Sequence, residues 1–303
     1  MVACTRPPPF YDLGMILESS RLSVEVAEPG TRYRGSRFDW TAHIVAVELD
    51  GRHRFCTSES LQPGTGSGGS GLCNEFGLER PLGYDEAAPG EEFPKLGIGL
   101  LTRLDGAASD PMRSYPVAPF AMAGERTARG ARWTVEPRGC RGYAVRLTKE
   151  LALEDAGFSL SYRLDNLGQR AIRTSEYNHN FIAIDGHAIG PDYRLATSAP
   201  ITALPGAQGV AVGATGFSWS GEVGPGRQFS ARCLSAPGLR GGFAWTLRHH
   251  PSGVQVSEAI DRAPAFIGLW GMAHVVSPEL FVDIDCAVGA SMSWRRDYRF
   301  GAP

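Results

Sequence analysis

The chain predicts an all-β fold of large antiparallel sheets packed face to face, and three observations carry that prediction. Apolar and polar residues alternate along many short segments, turn signals separate those segments, and no stretch sustains helical periodicity over three turns. The 38 glycines and 21 prolines would interrupt such helices repeatedly. At 303 residues the chain can bury a large core, and sandwiches reach such lengths as one unit, so a single domain over 1–303 is expected.

In chain order, RLSVEVAE (21–28) and HIVAVELD (43–50) place apolar residues at every second position, and ELDGRH supplies the turn that follows. Residues 61–125 break the pattern and read as a loop-rich insertion with short extended pieces, opened by the run QPGTGSGGSG (62–71). No G-K-[ST] closes that run and no helix follows it, so it reads as a mobile surface loop beside or over a pocket, not a phosphate cradle. Alternation resumes in ARWTVEP (131–137), YAVRLTKEL (143–151) and FSLSYRLDN (158–166). After the turn-rich stretch 187–230 come GFAWTLRH (242–249), GVQVSEAI (253–260), AFIGLWG (265–271), LFVDIDCA (280–287) and ASMSWRRDYRF (290–300).

Composition excludes more than it selects. A formal net charge of −2 gives no global reason to expect nucleic acid or an anionic membrane as partner. Of the 30 basic residues only Lys95 and Lys149 are lysine, so arginine counts carry little information by themselves. Six cysteines lie scattered without a C-x-x-C pair, which argues against a zinc knuckle or a tight disulfide framework. The N-terminal MVACTRPPPFYDLG has no apolar core of signal-peptide length, and a cytoplasmic location is the expectation. No H-x-H or H-E-x-x-H spacing occurs, so neither a catalytic metal nor another cofactor is expected.

The densest chemistry lies in TSEYNHNFIAIDG (174–186), where His179 stands between Asn178 and Asn180 at the mouth of an apolar strand. With a period of two, Tyr177, His179, Phe181 and Ala183 share one face, and Asn178, Asn180, Ile182 and Ile184 the other. An imidazole among aromatics suits proton transfer near neutrality. The competing reading is a core histidine bonded to backbone. Near the C-terminus, Glu279 follows a proline and precedes the segment 280–287, which places it at a strand mouth. A carboxylate there, opposite a histidine, would make a base and acid pair.

These elements resemble the galactose mutarotase-like superfamily, the aldose 1-epimerases and their relatives. The resemblance rests on Asn178-His179, the Pro-Glu element at Glu279, and the closing strand from Gly289 to Trp294. It implies a β-supersandwich, with His179 as catalytic acid and Glu279 as catalytic base. Aldose 1-epimerases proper carry a histidine in the first half that binds the sugar; this chain has CNEFGLERPLGYDE (73–86) instead, with no histidine between His53 and His179.

Further substrate contacts are expected from several residues. Glu75 and Arg80 lie in CNEFGLERPLGYDE, read as a loop, where a solvated acidic surface is the alternative. Lys95 is a compact ammonium in an arginine-rich chain. Arg34 and Arg37 stand beside Phe38 and Trp40 and allow an acidic sugar as substrate. Trp270 and His274 precede Glu279 closely enough to share its strand mouth, and Asn178 adds an amide. Three functions fit: anomer exchange on an aldose or modified, possibly acidic, sugar; lyase, hydrolase or other epimerase chemistry with the same pair; or carbohydrate binding without catalysis. A small-molecule carbohydrate is the partner in each.

Overall fold

The computed structural model describes residues 14–303; Cys4 and the N-terminal MVACTRPPPFYDL lie outside them. The alternating segments form two ten-stranded antiparallel sheets. The first runs Gly14–Glu18, Leu22–Ala27, Ile44–Leu49, Leu72–Phe76, Ile172–Asn180, Val275–Cys286, Phe266–Met272, Gln228–Ser235, Ile201–Ala203, with His53–Arg54 attached to Ile44–Leu49. The second runs Ala211–Gly213, Gly216–Ser218, Tyr193–Thr197, Phe243–His249, Gln255–Ile260, Ser291–Gly301, Gly157–Asn166, Val145–Glu154, Gly130–Val135, Met122–Thr127. Among the described residues the helical content is one 3-10 turn, Ile184–Gly186, and no described helix is long and apolar enough to cross a membrane.

Alternation decides what each strand buries. Val145–Glu154 and Ser291–Gly301 bury every second residue, because the second sheet keeps one face in water. Ile172–Asn180 is buried on both faces after Arg173. The inter-sheet core, including Trp133, Leu160, Ile172, Ile284 and Trp294, lies beneath it. A second apolar cluster, including Phe38, Phe93, Leu101, Tyr115 and Phe181, lies above. That upper cluster brings in the three-stranded sheet Glu92–Lys95, Gly99–Thr102, Val117–Pro119, which roofs the outer face of the first sheet.

Three expectations are corrected here. Part of the supposed insertion is sheet: Leu72–Phe76 is an entirely buried central strand, so Glu75 projects from a strand and not from a loop. The histidine stretch ends a strand where it was expected to begin one, since Ile172–Asn180 precedes a single bridge at Ile182 and then the 3-10 turn. Glu279 lies inside the strand Val275–Cys286, because Pro278 is accommodated within the sheet. The ladder of Ile172–Asn180 with this strand runs from Ile172 opposite Cys286 to Glu176 opposite Val282, and resumes at Ile182 opposite Val276 in the same register. Across the interval that contains Pro278, side chains replace ladder bonds. The Asn180 N–H donates to Ser277 Oγ at 3.0 Å, and Asn180 Nδ2 donates to the Pro278 carbonyl at 2.6 Å.

Candidate active site

Carrying that register through sets His179 opposite Glu279 on the outer, roofed face. His179 Nε2 lies 3.3 Å from Glu279 Oε1, which brings the two sequence-predicted catalytic groups together. On the far side of the Glu279 strand the partner is Gly268, where a Cβ would fall 2.7 Å from Glu279 Oε2. Glycine there leaves the carboxyl its room.

Ser277, two residues before Glu279 and therefore on the same face, ties the pair together. Its Oγ is 2.8 Å from His179 Nδ1 and 3.0 Å from Glu279 Oε1, while it accepts the Asn180 N–H. One hydroxyl has one proton to give. If it donates to Glu279, Nδ1–H donates to Ser277 and Nε2 is a bare acceptor; if it donates to Nδ1, Nε2–H faces Glu279. The sequence reading missed Ser277, although its spacing from Glu279 was there to be read.

Burial sets the proton count. Desolvation pushes the Glu279 carboxyl up to about 8, against the opposing pull of the Ser277 hydrogen bond and Arg37. Desolvation, with Arg37 adding to it, holds the His179 imidazole well below its usual range. Near neutrality the pair therefore holds one proton, on the carboxyl. Moving that proton to the imidazole makes an ion pair without changing net charge.

Around the pair stand aromatic rings. Phe181 stacks on His179 at 4.1 Å, and Trp270 and Phe38 meet the imidazole edge-on at 5.4 and 5.9 Å. Next to it lies a charged cluster. Glu75, directly across the ladder from Tyr177, accepts from Arg37 Nε at 2.9 Å, Tyr177 OH at 2.7 Å and Lys95 Nζ at 3.3 Å. Burial alone would raise the Glu75 carboxyl, but Lys95 and Arg37 outweigh it and hold it below the usual range. Arg37 also reaches up to Ser67 of the glycine-serine run at 3.1 Å and to Met112 Sδ at 3.4 Å. It floors an outer cleft of about 280 Å³ lined by Tyr33, Gly66, Met112 and Arg113. The run thus reaches Arg37 through Ser67, which Glu59 holds in place.

Other predicted contacts lie elsewhere. Asn178 faces the second sheet, because its neighbour His179 faces the roof; its Nδ2 donates to Tyr298 OH at 2.6 Å. Arg34 is exposed and donates to the Gly30 carbonyl at 2.7 Å. Arg80 is half exposed, pairs with Asp283 and donates to the Thr174 carbonyl. His274 bonds to the Ser58 carbonyl at 3.2 Å, at the foot of the glycine-serine run, instead of joining the pair. Among the described residues no three His, Cys, Asp or Glu side chains converge as metal ligands would.

Beneath the site both asparagines enter a buried ion network. Asn180 Nδ2 donates to Glu258 at 2.9 Å, Tyr298 OH donates to Asn180 Oδ1 at 3.0 Å, and Arg296 joins Glu258 to Glu176. Arg296, Glu176 and Glu258 are completely buried. Removing Arg296 would leave two carboxylates without their cation between the sheets.

No family model and no curated protein matches the sequence. Solved structures do. The chain is similar over 100% of both chains to the Slr1438 protein from Synechocystis sp. PCC 6803, at 13% identity and a TM-score of 0.60. It covers 95% of its own length and 97% of a galactose mutarotase related enzyme from Lactobacillus acidophilus, at 11% identity and a TM-score of 0.58. It covers 95% of its own length and 98% of a GalM/aldose epimerase homologue from C. elegans, at 8% identity and a TM-score of 0.56.

Proposed function

We propose that this chain, whose fold is that of the galactose mutarotase-like proteins, interconverts the anomers of an aldose with His179 and Glu279 as acid and base. The observation that carries the reading is the 3.3 Å approach of His179 Nε2 to Glu279 Oε1 on a roofed sheet face ringed by aromatics. Anomer exchange requires one group to take the proton of the C1 hydroxyl as another protonates the ring oxygen. A pair holding one proton has both capacities at once. In this reading a sugar entering under the roof restores polar surroundings and favours the ion-paired form. Glu279 then takes the C1 proton, His179 gives its own to the ring oxygen, the ring opens, and rotation about C1–C2 precedes closure with the protons returned. Each turnover leaves the pair as it began, so no other reactant is consumed.

The residues around the pair supply what a sugar needs. Trp270, Phe38 and Phe181 offer apolar surfaces to its C–H faces, and the Glu75, Lys95, Arg37 and Tyr177 cluster, whose members bond one another, walls the site beside the pair. A neutral aldose fits better than the acidic sugar considered from sequence, because the Arg37 fork is occupied by Glu75 and Tyr177 and Arg34 lies outside the site. His179 and Glu279 are only 5% and 8% exposed, so in this reading the Arg37 contacts to Ser67 and Met112 part to admit substrate.

The test is anomer equilibration of a panel of neutral and acidic aldoses, followed by polarimetry or proton NMR alongside substrate depletion. His179→Gln and Glu279→Gln should each lower turnover roughly 10²–10⁴-fold while the fold is retained. The double variant should lose less than the product, as groups acting as a unit do. Depletion of substrate would assign lyase or hydrolase chemistry, and saturable sugar binding without turnover would assign a binding protein; either result rejects anomer exchange.

A further inference from the structure

The outer face of the second sheet follows a rule that fails in one place. Along it each arginine is matched by a carboxylate on its own or a neighbouring strand: Arg132 with Glu150 at 2.8 Å, Arg146 with Glu136 at 3.1 Å, Arg163 with Asp165 at 2.7 Å, Arg295 with Asp297 at 2.6 Å. At the other end of the same sheet Arg194 stands directly opposite Arg248 on the neighbouring strand. Both are exposed, and among the described residues neither has a carboxylate within 4.0 Å or a hydrogen-bond partner. Like charges directly opposite on one face repel, at Cβ separations of about 5 Å.

The surroundings make a receptacle of this pair. The register continues the row through Ser218 on one side and Gln255 on the other, and His250 follows Arg248 on the same face. Next to the row the chain offers small residues: Gly213, Ala214, Gly216 and Ala196 leave a depression of about 520 Å³. Gly216 cannot be larger, since a Cβ there would fall 2.0 Å from the Leu195 carbonyl oxygen. Thr215 and Thr246 add hydroxyls to the wall. Two guanidinium forks without a carboxylate partner stand at a shallow bowl whose hydroxyls and side-chain amide can add further donors.

We propose that this bowl is a second binding site, taking a ligand through a tetrahedral oxyanion such as a phosphate or sulfate group. Each fork can give two parallel N–H bonds to such a group, and the anion cancels the repulsion that the empty pair carries. The site lies on the opposite sheet from His179 and Glu279 and does not depend on the anomer-exchange reading.

The experiment titrates the full chain with inorganic phosphate, inorganic sulfate and acetate at constant ionic strength, by calorimetry and by NMR of arginine Nε–Hε groups. Saturable binding of phosphate or sulfate is expected, stronger than that of acetate. Arg194→Gln and Arg248→Gln should each weaken it roughly tenfold or more, the effect of losing a charge-assisted contact. Arg163→Gln, in a matched pair on the same sheet, and His179→Gln should leave it unchanged. A wild-type response that never saturates, equal binding of acetate, or wild-type affinity in both arginine variants would overturn the proposal.

Discussion

Replacing Glu279 by glutamine should stabilise the protein, and by an amount that grows with pH. The buried carboxyl titrates at about 8 in the folded chain against an ordinary value of 4.5. Below pH 4.5 folded and unfolded chains both hold the proton, and the carboxyl imposes no pH-dependent cost. Between 4.5 and 8 the unfolded chain releases it and the folded chain keeps it, so the relative stability of the wild type falls as pH rises. The slope is about 1.4 kcal/mol per pH unit, and over this interval the total reaches an upper limit of about 5 kcal/mol. Glutamine has the same shape, can accept from Ser277 and does not titrate. Denaturant unfolding of both proteins at pH 5, 6.5 and 8 should show nearly equal stabilities at pH 5 and a glutamine variant more stable by several kcal/mol at pH 8. Parallel stabilities at all three values would refute the argument, because they would mean that Glu279 ionises in the folded chain as it does in water.

Turnover should fall above about pH 8, as Glu279 loses the proton that the pair shares, and should persist well below pH 6.5, where an exposed histidine would already be protonated; a kcat/KM profile from pH 5 to 9.5 checks both limbs. Gly268→Ala would bring a methyl to 2.7 Å from Glu279 Oε2, close enough to push the carboxyl from its place. The flexible side chain can yield, so stability should drop by about 1–3 kcal/mol, while turnover should fall about a hundredfold for an ångström of displacement. Thermal unfolding and the anomer assay separate those two effects.

Much of the fold was legible because period-two alternation survives wherever one face of a sheet meets water, as in 143–151 and 290–300. It was illegible where both faces are covered. Leu72–Phe76 lies between the second sheet and the roof, so alternation vanished and the strand passed for loop. The same double covering disguised Glu279, since a proline in mid-strand reads as a boundary unless side chains such as Asn180 replace the missing ladder bonds. At the site, Tyr177, His179 and Phe181 came out on one face by periodicity alone. Which arginine of RYRGSRFDW reached that face required the tertiary structure: Arg37 meets Glu75, Arg34 only backbone. The two lysines, Lys95 and Lys149, are both buried, paired with Glu75 and with Asp39 at 2.6 Å, which the sequence did not reveal.

The alternation of His179 with Asn178 and Asn180 also bears on how the chain finds its register. A slip of one residue in Ile172–Asn180 would turn Tyr177 and His179 inward against Arg296 and leave Glu176 and both asparagines under the roof. A purely apolar inner face would tolerate such a shift at modest cost, since one aliphatic contact replaces another. The ion network does not: in the slipped chain Arg296 would keep Glu258 but lose Glu176, Glu258 would lose the Asn180 amide, and the Glu176 carboxylate would lie under the roof without its guanidinium partner, which for a buried charge costs several kcal/mol. The alignment that places the imidazole opposite Glu279 is thereby also the one in which Arg296 meets both carboxylates and the Asn180 amide meets Glu258.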